Sequence, residues 1–271
     1  MPRFFRVLKA FLRRDALIAT SYKFQFLFNL LSGFFVVITF YFVSKLVDPN
    51  ASVDSLARYE TDYFSFVLIG VSMASFLDAG LRLSERLRTA MAEGSLEMMF
   101  AYPVRPLWIL ILPVVWDLWF ETLKVTTMLV IGAFLLGADL SQANFLAGGL
   151  VLLFTMSAFG VFGILSVALI LLIKRGDPIK WAFEHTTAIL AGAYFPVEIL
   201  PAWLVWVSKL LPMTYAYHAL RMTLLAGASL AEVWHEVLIL ALFSIAGLPI
   251  AAYLCELAVV KAKRAGLLGS F

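Results

Sequence analysis

"YFPVEILPAWLVWVSKLLPMTYAYHALRMTLLAG" (Tyr194–Gly227) decides how often this chain crosses a bilayer. The stretch is apolar enough for a span, yet Pro196, Pro201 and Pro212 cut it. A proline inside a helix costs ~3 kcal/mol. The two longer pieces, from Pro201 to Pro212 and from Pro212 to Gly227, hold about 11 to 15 residues, short of the about 20 that a crossing needs. We expect two short helices that dip into the outer leaflet and return. Trp203, Trp206, Tyr215 and Tyr217 suit the interface, where amphipathic rings collect. The alternative is an ordinary outer loop lying on the surface.

The rest of the chain agrees with a lipid solvent. Of 271 residues, 62% are hydrophobic and 14% charged, against about 25% charged in a soluble domain. Apolar runs at 24–47, 63–81, 107–137, 145–173, 178–195 and 233–259 predict six spanning helices. The strand alternation of a membrane barrel is absent. The run from Phe24 to Val47 exceeds the roughly 7–15 residues of a signal-peptide core, so it reads as a retained first span. The one cysteine, Cys255, lies in an apolar run and permits no intrachain disulfide.

Lys and Arg in the connections set the direction. Arg3, Arg6, Lys9, Arg13, Arg14 and Lys23 open the chain, and Asp48, Asp54, Glu60 and Asp62 dominate the next connection. Arg82, Arg86, Arg88 and Arg105 come after them, then Asp139 alone, then Lys174, Arg175 and Lys180, and the tail carries Lys261, Lys263 and Arg264. Basic and acidic connections alternate, which predicts both termini in the cytoplasm. A seventh span would send the basic tail outside.

Two further segments are amphipathic. Phe4, Val7, Leu8, Phe11 and Leu12 share one helical face near the N-terminus, as in a helix lying on the cytoplasmic leaflet. That face also fits a plain anchor. In 82–105, Leu83, Leu87, Ala90 and Met91 share a face with Glu85, Arg86, Arg88 and Glu93 to the sides. Gly94 interrupts this helix, and Ser95 can cap the next one. A short charged helix parallel to the membrane is a docking knob for a soluble partner, or it merely closes a loop.

At this point the chain resembles a known family. "EGSLEMMFAYPV" (Glu93–Val104) is similar to one signature of the ABC-2 type membrane subunits of ATP-binding-cassette exporters, and Tyr194–Arg221 is similar to a second. Ser95 stands where threonine is usual, and Tyr102 where Ser or Thr is commoner. The resemblance implies a single transmembrane domain over 1–271. In it an interfacial helix (1–23) precedes two spans (24–81), a coupling-helix region (82–106) and three spans (107–195). An outer re-entrant hairpin (196–230) and a last span with cytoplasmic tail (231–271) complete it.

The resemblance also implies a cytoplasmic ATPase partner that holds the ATP and Mg, a second membrane subunit identical or not, and a cell-membrane location. It assigns the ATPase contact to Glu93, Gly94, Ser95, Leu96 and Glu97, to which charge and position add Arg86 and Arg88. A pathway lined by the second and fifth spans would use Phe64, Leu68, Met73 and Phe76, with Ala188, Gly192 and Phe195 opposite. Such a lining suits amphipathic drugs, lipid-linked molecules or glycans.

Chemistry of the chain's own is disfavoured. No G-x-x-x-x-G-K-[ST] loop is present to hold phosphates, so the chain is expected to carry no cofactor, and no nucleic-acid partner is expected. His185, His218 and His235 are scattered, which argues against a metal site. "GVSM" (Gly70–Met73) lacks the last glycine of a membrane serine-protease motif. Asp117, Glu121 and Lys124 fall on one face of the third span, where each charge costs about 2.5–3.5 kcal/mol at the bilayer centre. They could form an ion relay, the basis of a rival reading as a channel or ion-coupled carrier. A straight helix over 107–137 would measure about 46 Å, so they could equally be a rim ion pair of Glu121 with Lys124. Glu184 raises the same choice in the fifth span.

Overall fold

The computed structural model describes residues 2–46, 61–101, 104–173 and 177–264. The acidic residues Asp48, Asp54 and Glu60, and the basic Lys174 and Arg175, lie outside them, as do Tyr102 and Pro103. Among the described residues every regular element is helical. In chain order these are α1 (Pro2–Ser21), α2 (Lys23–Ser44), α3 (Tyr63–Ala92), α4 (Ser95–Ala101) and α5 (Pro106–Leu136). Then come α6 (Phe145–Ile173), α7 (Pro178–Leu190), α8 (Ala202–Lys209), α9 (Pro212–Leu224) and α10 (Trp234–Arg264).

Five of them, α2, α3, α5, α6 and α10, are long and apolar enough to cross a membrane. The expected fifth span over 178–195 is shorter than its hydropathy suggests. Helix α7 has 13 residues, about 20 Å, against a hydrocarbon core of about 30 Å. It stops because Gly192 takes φ +80, and Phe195 O would lie 3.0 Å from any Cβ there. A one-turn 3-10 helix, Val197–Ile199, comes after Pro196.

The prolines of Tyr194–Gly227 punctuate the chain as their chemistry requires. Pro201 precedes α8 and Pro212 opens α9, where a missing N–H costs nothing. The turn between them is tied down. Thr214 Oγ1 donates to Ser208 O (2.7 Å) and Tyr215 OH to Lys209 O (2.9 Å).

Helix α3 is the interior helix. The second span is expected from hydropathy to end at 81, with a separate surface helix after it. Instead one 30-residue helix runs through to Ala92. The face carrying Leu83, Leu87, Ala90 and Met91 stays buried and so continues the core. Phe66, Met73 and Phe76 of α3 pack with Phe159 of α6 and with Tyr217 and Leu220 of α9. Glycines bring α3 and α6 together: a Cβ on Gly163 would stand 2.1 Å from Gly80 O. Small residues at a crossing let two backbones approach, the main source of helix association in lipid.

Helix α1 shows its amphipathic face. Val7, Leu8, Phe11 and Leu12 are half-buried, while Arg6, Lys9 and Arg13 are exposed; the side chain of Phe4 is outside the described residues. The helix packs against α2 and α5.

Candidate functional site

Two features stand out, a projecting turn and a charge ladder, and both belong to the far half of α3. The turn arises from one glycine. Gly94 takes φ +67 with open space where a side chain would be, the left-handed ending that glycine adopts most cheaply. Its N–H donates to Met91 O at 3.1 Å, and Glu93 N–H to Thr89 O at 2.9 Å. Helix α4 then turns back. Leu96 is fully buried among Leu83, Leu87, Met91 and Leu110.

That anchoring divides the residues assigned to an ATPase contact. Arg88, Glu93 and Gly94 are exposed and Ser95 half-exposed. Leu96 is an anchor inside the protein, with no surface to offer. Ser95 does not cap α4; its hydroxyl donates backwards to Ala90 O at 3.3 Å. The side chain of Glu97 is outside the described residues. Met98 is 68% exposed beside them. An apolar tip on an otherwise charged turn is legible in the sequence but escapes a reading by charge alone.

Arg86 is exposed as well, and it is also tied to a neighbouring helix. Its Nη2 donates to Asp117 Oδ1 of α5 at 2.5 Å, and one turn earlier Arg82 Nη2 donates to Glu121 Oε2 at 2.7 Å. The order of partners, 82 with 121 and 86 with 117, makes α3 and α5 antiparallel here. Both pairs have i, i+4 spacing, so each sits on one helical face. Lys124 Nζ reaches Glu121 Oε1 at 3.2 Å; the geometry there is that of an ion pair without a hydrogen bond. The expected Glu121–Lys124 pair is thus present, enlarged by two arginines of the neighbouring helix. The side chain of Glu184 is outside the described residues. Lys180, a turn before it, binds Glu85 of α3.

The residues expected to line a pathway separate likewise. Phe64 and Leu68 are buried against Val37, Met128 and Ala138, and Met73 and Phe76 lie in the main core. These four therefore pack the protomer's interior and present no lining surface in it. Gly192 is buried too, whereas Ala188 and Phe195 are half-buried.

Arg221 is missing from the expected site although it closes the second signature. It is 3% exposed, its ring partner is Phe66 at 3.4 Å, and it binds three carbonyls. Nε donates to Phe66 O (3.2 Å), Nη1 to Gly192 O (2.8 Å) and Nη2 to Ala193 O (2.8 Å). One guanidinium joins α9 to α3 and to the turn after α7. A lone arginine in an apolar run is the signal that could have found it.

Comparison with known proteins bears on the whole arrangement. The family model described as ABC-2 type transporter matches residues 4–225, from α1 to the end of α9. ABC transporter G family member 20 of Dictyostelium discoideum is 28% identical over 149 residues, 52% of this chain and 20% of that protein. The chain thus spans about a fifth of that relative's length. On a match that covers most of its helices, the chain belongs to the ABC-2 type transporter family.

Proposed function

We propose that this chain is the membrane-spanning subunit of an ATP-driven exporter. A separate cytoplasmic ATPase carries ATP and Mg and presses on the turn at Glu93–Gly94. The observation that carries this reading is that turn: exposed Arg88, Glu93 and Met98 are held out by a buried Leu96 at the end of one continuous helix. Family membership supports the ATPase partner.

In this reading both termini face the cytoplasm of a cell-membrane protein, and α8 with α9 forms a hairpin that dips into the outer leaflet. Helix α7 and the turn after it complete a sixth crossing. A second membrane subunit, identical or a sister, closes an alternating-access pathway. Ala188 and Phe195 keep surface in the single protomer and are the residues we place on that pathway. The cargo is amphipathic: drug-like, lipid-linked or a glycan. An ion-carrier role for Asp117 and Glu121 is less well supported, since each carboxylate already holds an arginine.

Copurification in mild detergent tests the reading. An ATPase should accompany the parent chain and be lost from Glu93→Arg. Transport of cargo into vesicles by the purified chain, without nucleotide or a second protein, would refute it.

A further inference from the structure

A cavity of about 600 Å³ opens between α1, α2, α3 and α5, and the charge ladder forms one wall of it. Arg14, Arg82, Arg86 and Lys124 face Asp15, Asp117 and Glu121 around it. The two signs are not equally placed. The Asp15, Asp117 and Glu121 side chains are 8%, 8% and 1% exposed, while their partners Arg14, Arg86 and Arg82 keep 48%, 41% and 34%. Asp15 Oδ2, Asp117 Oδ2 and Glu121 Oε1 are buried from solvent. A molecule entering the cavity meets cations, with the carboxylates standing behind them.

Those cations have donors to spare. A guanidinium carries five N–H groups in a rigid fork. Arg82 and Arg86 each spend one nitrogen on a carboxylate, and Arg14 spends Nε and Nη2 on Asp15 Oδ1. The carboxylates orient the arginines from behind, so little ordering is left for a ligand to supply. The forked donors match the oxygens of phosphate.

The remaining wall is oily. Ile18, Tyr22, Phe26, Trp116 and Phe120 line it, with the Phe26 and Phe120 rings edge-on at 5.2 Å. A cation-fronted pocket with an aromatic wall suits an anionic head carrying an apolar tail. An ammonium amphiphile finds little carboxylate surface to bind.

We propose that this cavity binds the phosphate group of an anionic amphiphile, its head on Arg14, Arg82 and Arg86 and its apolar part against α1 and α2. The site needs neither nucleotide nor an ATPase, so it stands or falls separately from the export reading.

Native mass spectrometry of the full chain in neutral detergent tests this with phosphatidylglycerol and phosphatidylcholine. Phosphatidylglycerol should be retained more strongly. The paired change Arg86→Gln with Asp117→Asn removes one front-facing cation and its backing charge together, leaving no buried charge unpaired. It should weaken phosphatidylglycerol binding about tenfold. Arg14→Gln leaves both helix–helix pairs intact and should weaken it as well, which keeps the test open should the double variant misfold. Displacement of the lipid by inorganic phosphate would assign the site to a soluble phosphate, and resistance to displacement to the lipid itself. Equal retention of the two lipids, or unchanged binding by Arg14→Gln, overturns the proposal.

Discussion

Gly70 and Arg221 fill one space. A Cβ on Gly70 would stand 2.5 Å from Arg221 Nη2 and 1.9 Å from Ala193 O, so the guanidinium and its carbonyl ligand rest directly on the bare backbone of α3. Gly70 lies one helical turn beyond Phe66, and Phe66 O is itself a ligand of Arg221 at 3.2 Å.

Gly70→Ala should therefore displace both the arginine and the 192–193 turn. Overpacking of this kind costs about 1–3 kcal/mol. A lowered melting temperature in detergent checks it, while Gly149→Ala, where a Cβ meets nothing, serves as the neutral control.

Arg221→Met should be worse. It strips Gly192 O and Ala193 O of their donor, while Phe66 O keeps its N–H within α3, and each buried unsatisfied group costs about 1–3 kcal/mol. Arg221→Lys keeps the charge but not the fork, and should recover only part of the loss. Expression and thermal melting of the two variants would rank them; equal stability of Arg221→Met and the parent would contradict the role.

On the ladder, Glu121→Gln deprives Arg82 and Lys124 of the carboxylate they share. Arg82 is a third exposed, so solvent screens part of the penalty and we expect about 1–3 kcal/mol of destabilisation. Adding Arg82→Gln should restore much of it, and a double-mutant cycle measures the coupling. Additive losses would mean the pair contributes nothing.

Asp139 gives a pH signature between α5 and α6. Its Oδ1 accepts from Ser141 N (3.0 Å) and Ser141 Oγ (2.6 Å), which holds its carboxyl below the usual range. A depressed folded-state pKa gives stability that is whole above the unfolded value of about 3.9. That contribution is lost as pH falls through the folded pKa. The melting temperatures of parent and Asp139→Asn should differ near neutrality, parent higher, and converge in acid.

Much of this is legible in the residues, for reasons that hold element by element. Proline places the starts of α8 and α9, because its chemistry is local. The apolar run 145–173 matches α6 to the residue. Periodicity finds the buried face of 83–91 but does not say that the helix continues the second span, since a core helix and a surface helix share that pattern. Hydropathy overruns the end of α7, because the turn at Gly192 is itself apolar in sequence. Arg86 reads as an unpaired surface charge because charge in a connection is ordinarily solvated. Its partner lies 31 residues on, and nothing local announces such a pairing. For Phe64, Leu68, Met73 and Phe76 the residue type alone does not tell an inner wall from a lipid-facing or pathway-facing one.

The unbroken run of α3 has a mechanical consequence. Thirty residues without a proline make a strut about 45 Å long. Its C-terminal end carries the Glu93 tip, and Phe66, clasped by Arg221, lies close to its N-terminal end. A helix with no proline kink bends little, so a thrust applied to the tip would reach the clasp at the helix's other end.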